Sequence, residues 1–125
     1  MRLLLDTHAV IWAVSSPATL APAARTAIED PGNVVMVSSA SVWEITIKEA
    51  LGKLTLPASI EEAIGGSSFE ALPITHAHAV LAGSLPPHHR DLFDRMLVAQ
   101  AIVDGLTIVT RDAAIPRYAA ATLPA

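Results

Sequence analysis

Short apolar runs alternate with stretches of helical periodicity along this chain. Leu3-Leu4-Leu5 is an apolar triplet stopped by Asp6, and residues 7–15 then place Val10, Ile11 and Val14 on one side of a predicted helix. Pro22 suits the first turn of a second helix, which the Pro31-Gly32-Asn33 break ends. Val34-Val35-Met36-Val37 has the continuous apolar character of a strand buried on both faces. Ser38 and Ser39 offer an N-cap for a helix over residues 41–51 that Gly52 closes.

The second half repeats the alternation. Residues 53–59 form a loop carrying Pro57, and residues 60–64 a short helix ended by Gly65-Gly66. Residues 69–74 read as a brief edge strand, because Pro73 cannot donate to a central ladder. An Ala-rich helix over 75–85 is followed by the stiff polar loop Pro86-Pro87-His88-His89. A helix over 94–104 turns Met96, Leu97, Ala101 and Ile102 inward, Gly105 ends it, and residues 106–109 make a last strand. This order predicts an α/β fold with a largely parallel sheet. With no repeat and no low-complexity segment, residues 1–125 are expected to form one domain.

Composition narrows the function. The chain has no cysteine, which removes disulfides, thiolate catalysis and Cys-ligated zinc. Although 52% of residues are hydrophobic, Asp6, Glu44, Gln100 and Asp104 break the apolar runs short of a membrane span. The Met1-to-Leu5 run is too short for a signal peptide, so a cytoplasmic location is expected. The formal charge of −4 is unlike a protein that grips nucleic acid by phosphate neutralisation alone. Nucleic-acid binding would need a local patch, a divalent metal or two copies of the chain.

The acids supply those means. Asp6 and Asp112 each follow a predicted strand, and ligands of open α/β sheets collect outside the carboxyl ends of the strands. Asp94 starts the helix that feeds the last strand, and Glu44 lies inside the helix after the second. Taken singly, each acid has a plain structural use. The aspartates suit N-caps, and Glu44 suits an i, i+4 pair with Lys48 worth only ~0.3–0.5 kcal/mol. Trp43, Ile45 and Ile47 flank Glu44 and put it at the border of the core, where an unpaired carboxylate is costly. Carboxylates that converge on one crevice raise one another's pKa unless a cation sits between them. All-oxygen ligation suits Mg²⁺ or Mn²⁺, and such a metal assists phosphodiester hydrolysis.

Four segments in order, Leu3-Leu4-Leu5-Asp6-Thr7-His8, Ser41-Val42-Trp43-Glu44-Ile45, Asp94-Arg95-Met96-Leu97-Val98-Ala99-Gln100-Ala101 and Val109-Thr110-Arg111-Asp112, resemble the PIN-domain toxins of the VapC family. The resemblance spans nearly the whole chain. It implies a three-layer α/β/α endoribonuclease that uses Mg²⁺ or Mn²⁺, forms a homodimer and is blocked by a VapB-type antitoxin encoded beside it. It further implies that Asp6, Glu44 and Asp94 are the core acidic ligands and Asp112 the fourth acid, with Thr7 or Thr110 orienting a ligand. The segment His89-Arg90-Asp91-Leu92-Phe93-Asp94-Arg95 resembles a subgroup in which proline commonly stands at the place of Leu92.

Other residues carry secondary expectations. Arg95 and Arg111 adjoin proposed ligands and are candidates for RNA phosphate contacts, as is Lys48, with Lys53 beyond it. His8 is expected to pack or to support a ligand, and His88 and His89 to belong to a loop rather than to a metal site. Trp12 and Trp43 are expected in core or dimer packing. A phosphoacceptor receiver domain is excluded, because Ser38 ends the middle strand and no lysine follows Lys53. The alternative that stays open is a non-catalytic PIN-like module that binds protein or RNA.

Overall fold

The computed structural model describes residues 1–125. Strand β1 (Arg2–Leu5) runs straight into helix α1 (Thr7–Ser15), with Asp6 between them as N-cap. A 3₁₀ turn (Pro17–Thr19) leads to α2 (Pro22–Glu29), where Pro22 occupies the first turn and needs no N–H partner. Then come β2 (Val34–Ser38), α3 (Ser39–Ala50), α4 (Ile60–Gly65), β3 (Glu70–Leu72), α5 (His76–Ser84), α6 (Leu92–Asp104) and β4 (Thr107–Thr110). A second 3₁₀ turn (Ile115–Arg117) precedes β5 (Ala121–Pro124).

All five strands are parallel, in the order β3-β2-β1-β4-β5. Leu3, Leu4 and Leu5 are fully buried, as a strand at the centre of a two-faced sheet requires. Alternation sorts them. Leu3 and Leu5 join a core with Val10, Ile28, Val37 and Ile45, whereas Leu4 joins Leu97, Val98, Ile108 and Tyr118 on the other face. Helices α1, α2 and α4 cover the first face and α6 the second, giving three layers.

The expected elements are present, with three corrections. Helix α6 begins at Leu92 rather than Asp94, because Asp91 is the N-cap and accepts the amides of Phe93 and Asp94 at 2.9 and 3.1 Å. Strand β5 has no counterpart in the sequence reading. Its edge position tolerates Pro124, which has no N–H to give. Trp43 does not enter the core: 63% of it is exposed, edge-on to Phe93, in an apolar groove with Ala40, Ile74, Leu92 and Met96. Gly52, at φ +71°, ends α3 in a left-handed cap, with the amides of Gly52 and Lys53 closing on the carbonyls of Glu49 and Lys48.

Candidate active site

The carboxyl ends of β1 and β4 open into a pocket of about 380 Å³ lined by Asp6, Glu44, Asp91, Asp94 and Asp112, together with Thr7, Lys48 and Arg111. Parallel pairing of Leu5 with Val109 puts Asp6 and Thr110 side by side at the strand ends. The Asp6 amide continues the ladder by donating to the Val109 carbonyl at 3.1 Å. Asp6 Oδ1 accepts the Ala9 amide at 2.8 Å, and Oδ2 accepts the Thr110 hydroxyl at 2.6 Å. The capping expected of an aspartate is therefore made, and the same carboxylate also faces the pocket.

Thr110 reaches further. Its Oγ1 accepts the Asp112 amide at 3.0 Å, so one hydroxyl fixes two of the four acids. Asp112 Oδ1 caps the next turn by accepting the Ala114 amide at 2.7 Å. Thr7, one residue after Asp6, donates to Glu44 Oε1 at 2.6 Å, and Lys48 Nζ stands 3.1 Å from Glu44 Oε2. Glu44 thus has both the i, i+4 partner legible in the sequence and a hydroxyl from Thr7, whose acceptor only the fold identifies. Asp94 is the third residue of α6, and its carboxylate is free of capping because Asp91 performs that task.

Electrostatics separates these acids. Burial pushes the Asp94 carboxyl up to about 7, helped by the neighbouring charges of Asp91, Asp6 and Asp112. Burial also raises Asp6, against the hydrogen bonds from Thr110 and Ala9 that favour its ionised form. Asp112 feels burial least, and the donors Ala114 N–H and His89 bring it below the usual carboxylate range. An acid cluster that retains a proton at neutral pH has a deficit of positive charge. Its donors are carboxylate oxygens, the set that suits a hard divalent cation.

The remaining expectations divide. Arg111 lines the pocket, but Nε and Nη2 are committed to the main-chain oxygens of Ala125 and Thr19, and the guanidinium lies 4.3 Å from the centre of the Trp12 ring. Lys48 lines the pocket through its pair with Glu44, and Lys53 does not line it. Arg95, expected beside a ligand, does not line the pocket. Its donors close on the carbonyls of Ala82, Leu85 and Pro86 at 2.9–3.1 Å, capping the end of α5 away from the pocket. Trp12 packs against the core as expected and also reaches the pocket wall beside His8, with the two rings stacked at 5.7 Å.

His89, expected in a loop apart from any metal site, lines the pocket from that loop. Its Nε2 lies 2.9 Å from Asp112 Oδ2 and 3.0 Å from Asp94 Oδ2, so the three groups share one small space. Proximity to Asp91 and Asp94 in sequence was the one available signal. A loop position reveals nothing about where its side chain points until the fold is closed.

Comparison with known proteins agrees with the architecture. The PIN-domain family model matches residues 3–121. No curated protein sequence matches the chain. Among solved structures, VapBC2 from Rickettsia felis, bound to a promoter DNA fragment, aligns with a TM-score of 0.71 at 16% identity, covering 98% of both chains. FitAcB from Neisseria gonorrhoeae aligns at 0.64 and 22% identity, over 98% of this chain and 96% of the other. A toxin–antitoxin complex from Klebsiella pneumoniae aligns at 0.65 and 18%, over 98% and 96%. With the family model covering nearly its whole length, the chain belongs to the PIN-domain family.

Proposed function

We propose that this protein is a metal-dependent endoribonuclease acting as the VapC-type toxin of a toxin–antitoxin pair, in which it hydrolyses RNA phosphodiesters and arrests growth. The observation that carries the reading is the convergence of Asp6, Glu44, Asp94 and Asp112 on one pocket, with Asp94 pushed up to about 7 by burial and its acidic neighbours. Those four carboxylates would hold Mg²⁺ or Mn²⁺. A divalent cation supplies charge to offset the phosphodiester and lowers the pKa of water.

The chain's own residues do the positioning. Thr110 holds Asp6 and the backbone of Asp112, and Thr7 holds Glu44, so two hydroxyls orient three of the acids. Lys48 balances Glu44 at the pocket wall. Arg111 keeps Nη1 clear of protein acceptors, and this is the donor that would meet an RNA phosphate. The net charge of −4 agrees with binding that relies on a cation in the pocket rather than on a basic surface.

The partner in this reading is a VapB-type antitoxin, supported by neighbours that were solved as toxin–antitoxin complexes. A homodimer belongs to the same reading, and the exposed Trp43, Ile74 and Leu92 offer apolar surface for a second copy to bury. Induced expression in bacteria tests the toxin role. Growth arrest by the natural chain, absent with Asp94→Asn at equal protein level, is expected; equal growth with both would overturn it.

A further inference from the structure

The loop between α5 and α6 sends one side chain, His89, between two of the candidate ligands. Its Nε2 contacts Asp112 Oδ2 at 2.9 Å and Asp94 Oδ2 at 3.0 Å. The other ring nitrogen, Nδ1, accepts the Asp91 amide at 3.1 Å. A nitrogen that accepts an N–H carries no proton of its own, so the ring proton belongs to Nε2 and is shared by the two acids. The backbone holds this pose from behind. The His89 amide donates to Tyr118 Oη at 2.9 Å, and that hydroxyl donates to the Pro86 carbonyl at 2.8 Å. The His88 ring sits edge-on to Tyr118 with centres 4.9 Å apart.

A protonated ring nitrogen has no lone pair to offer a cation. We propose that His89 is a tethered donor rather than a metal ligand, holding the place between Asp94 and Asp112 that a divalent cation would take and yielding it when the cation binds. The inference rests on the metal-dependent reading of the pocket. Two carboxylate oxygens directed at one point need a proton-bearing or positive partner, and His89 supplies it from the protein itself. Ligation would instead require the proton on Nδ1, pointing at the Asp91 N–H, so donor would face donor at the N-cap of α6. A cation entering this space must displace hydrogen bonds to two acids. His89 therefore sets metal affinity below what the four carboxylates alone would give.

Titration with Mn²⁺, reading free Mn²⁺ by electron paramagnetic resonance without RNA, tests this on the intact chain and on His89→Ala. The variant is expected to bind Mn²⁺ at least about tenfold more tightly, since hydrogen bonds to charged groups no longer compete with the cation. Pulsed resonance of the Mn²⁺-loaded natural protein is expected to show no ¹⁴N coupling that the variant lacks. Equal affinity of the two proteins, or a ¹⁴N coupling lost in the variant together with weaker binding, would overturn the proposal. Failure of both proteins to bind Mn²⁺ would overturn the metal reading along with it. Nitrogen-15 spectra of the metal-free natural protein require no variant: a His89 ring protonated at Nε2 and perturbed by Mg²⁺ is expected. A ring protonated at Nδ1 contradicts the proposal.

Discussion

The Thr110 hydroxyl donates to Asp6 Oδ2 at 2.6 Å, joining residues 104 positions apart in the chain. The same oxygen accepts the Asp112 amide, so a single side chain ties the carboxylate at the end of β1 to the backbone of the acid beyond β4. Thr110→Val keeps the shape and removes both bonds. Metal affinity measured by calorimetry should fall about tenfold or more, the usual cost of losing a group that orients a ligand. Thr110→Ser should restore most of it. Unchanged affinity in the valine variant would deny Thr110 a positioning role.

Arg95 and Arg111 should separate cleanly under substitution. Arg95 makes its bonds to the carbonyls that end α5, so Arg95→Ala should cost about 1–3 kcal/mol of stability in denaturant unfolding and leave RNA affinity unchanged. Arg111→Gln should weaken RNA binding at fixed metal concentration, because it removes the guanidinium that faces the pocket. Equal RNA binding by the natural protein and Arg111→Gln would remove the phosphate-contact role.

Asp94 makes the metal-free fold pH-sensitive. A carboxyl whose pKa rises to about 7 on folding binds its proton more tightly in the folded state. Its contribution to stability is full below the unfolded value of 3.8 and is lost as pH rises to about 7. Asp6 acts in the same direction, and Asp112 in the opposite one. Thermal melts without metal should therefore fall between pH 5 and pH 8, by less in Asp94→Asn. Added Mg²⁺ should recover the loss at pH 8, and its apparent affinity should drop about tenfold per pH unit below 7 as the proton competes. A metal-free melting temperature that rises over that range would contradict this account of Asp94.

Much of this organisation is legible in the residues. Leu3-Leu4-Leu5 followed by Asp6 reads as an apolar strand with an acid at its end, because strand patterning and capping are local rules. The start of α6 is ambiguous in the sequence, because Asp91 and Asp94 both suit an N-cap and Leu92-Phe93 between them has no polar alternation to mark the boundary. β5 is not legible in the sequence, because Ala121-Thr122-Leu123-Pro124 has little strand character of its own and depends on pairing with β4. Of the core and dimer packing open to Trp43 in the sequence, its position on α3 excludes the core, because the ring faces the outer groove. His89 depends on a loop path fixed by Tyr118, 29 residues further on, which no local pattern encodes.

The central claim is that the acid pocket cleaves RNA with a divalent metal, and its most direct test is a cleavage assay. Protein freed of any antitoxin should cut RNA from a broad substrate set with Mg²⁺ or Mn²⁺, and chelation should stop it. Asp6→Asn and Asp94→Asn should each lose at least about a hundredfold in rate, on the scale of removing a group that stabilises developing charge, while keeping the natural circular dichroism spectrum. No cleavage by the natural protein with either metal, or undiminished cleavage by a correctly folded Asp94→Asn, would contradict the account.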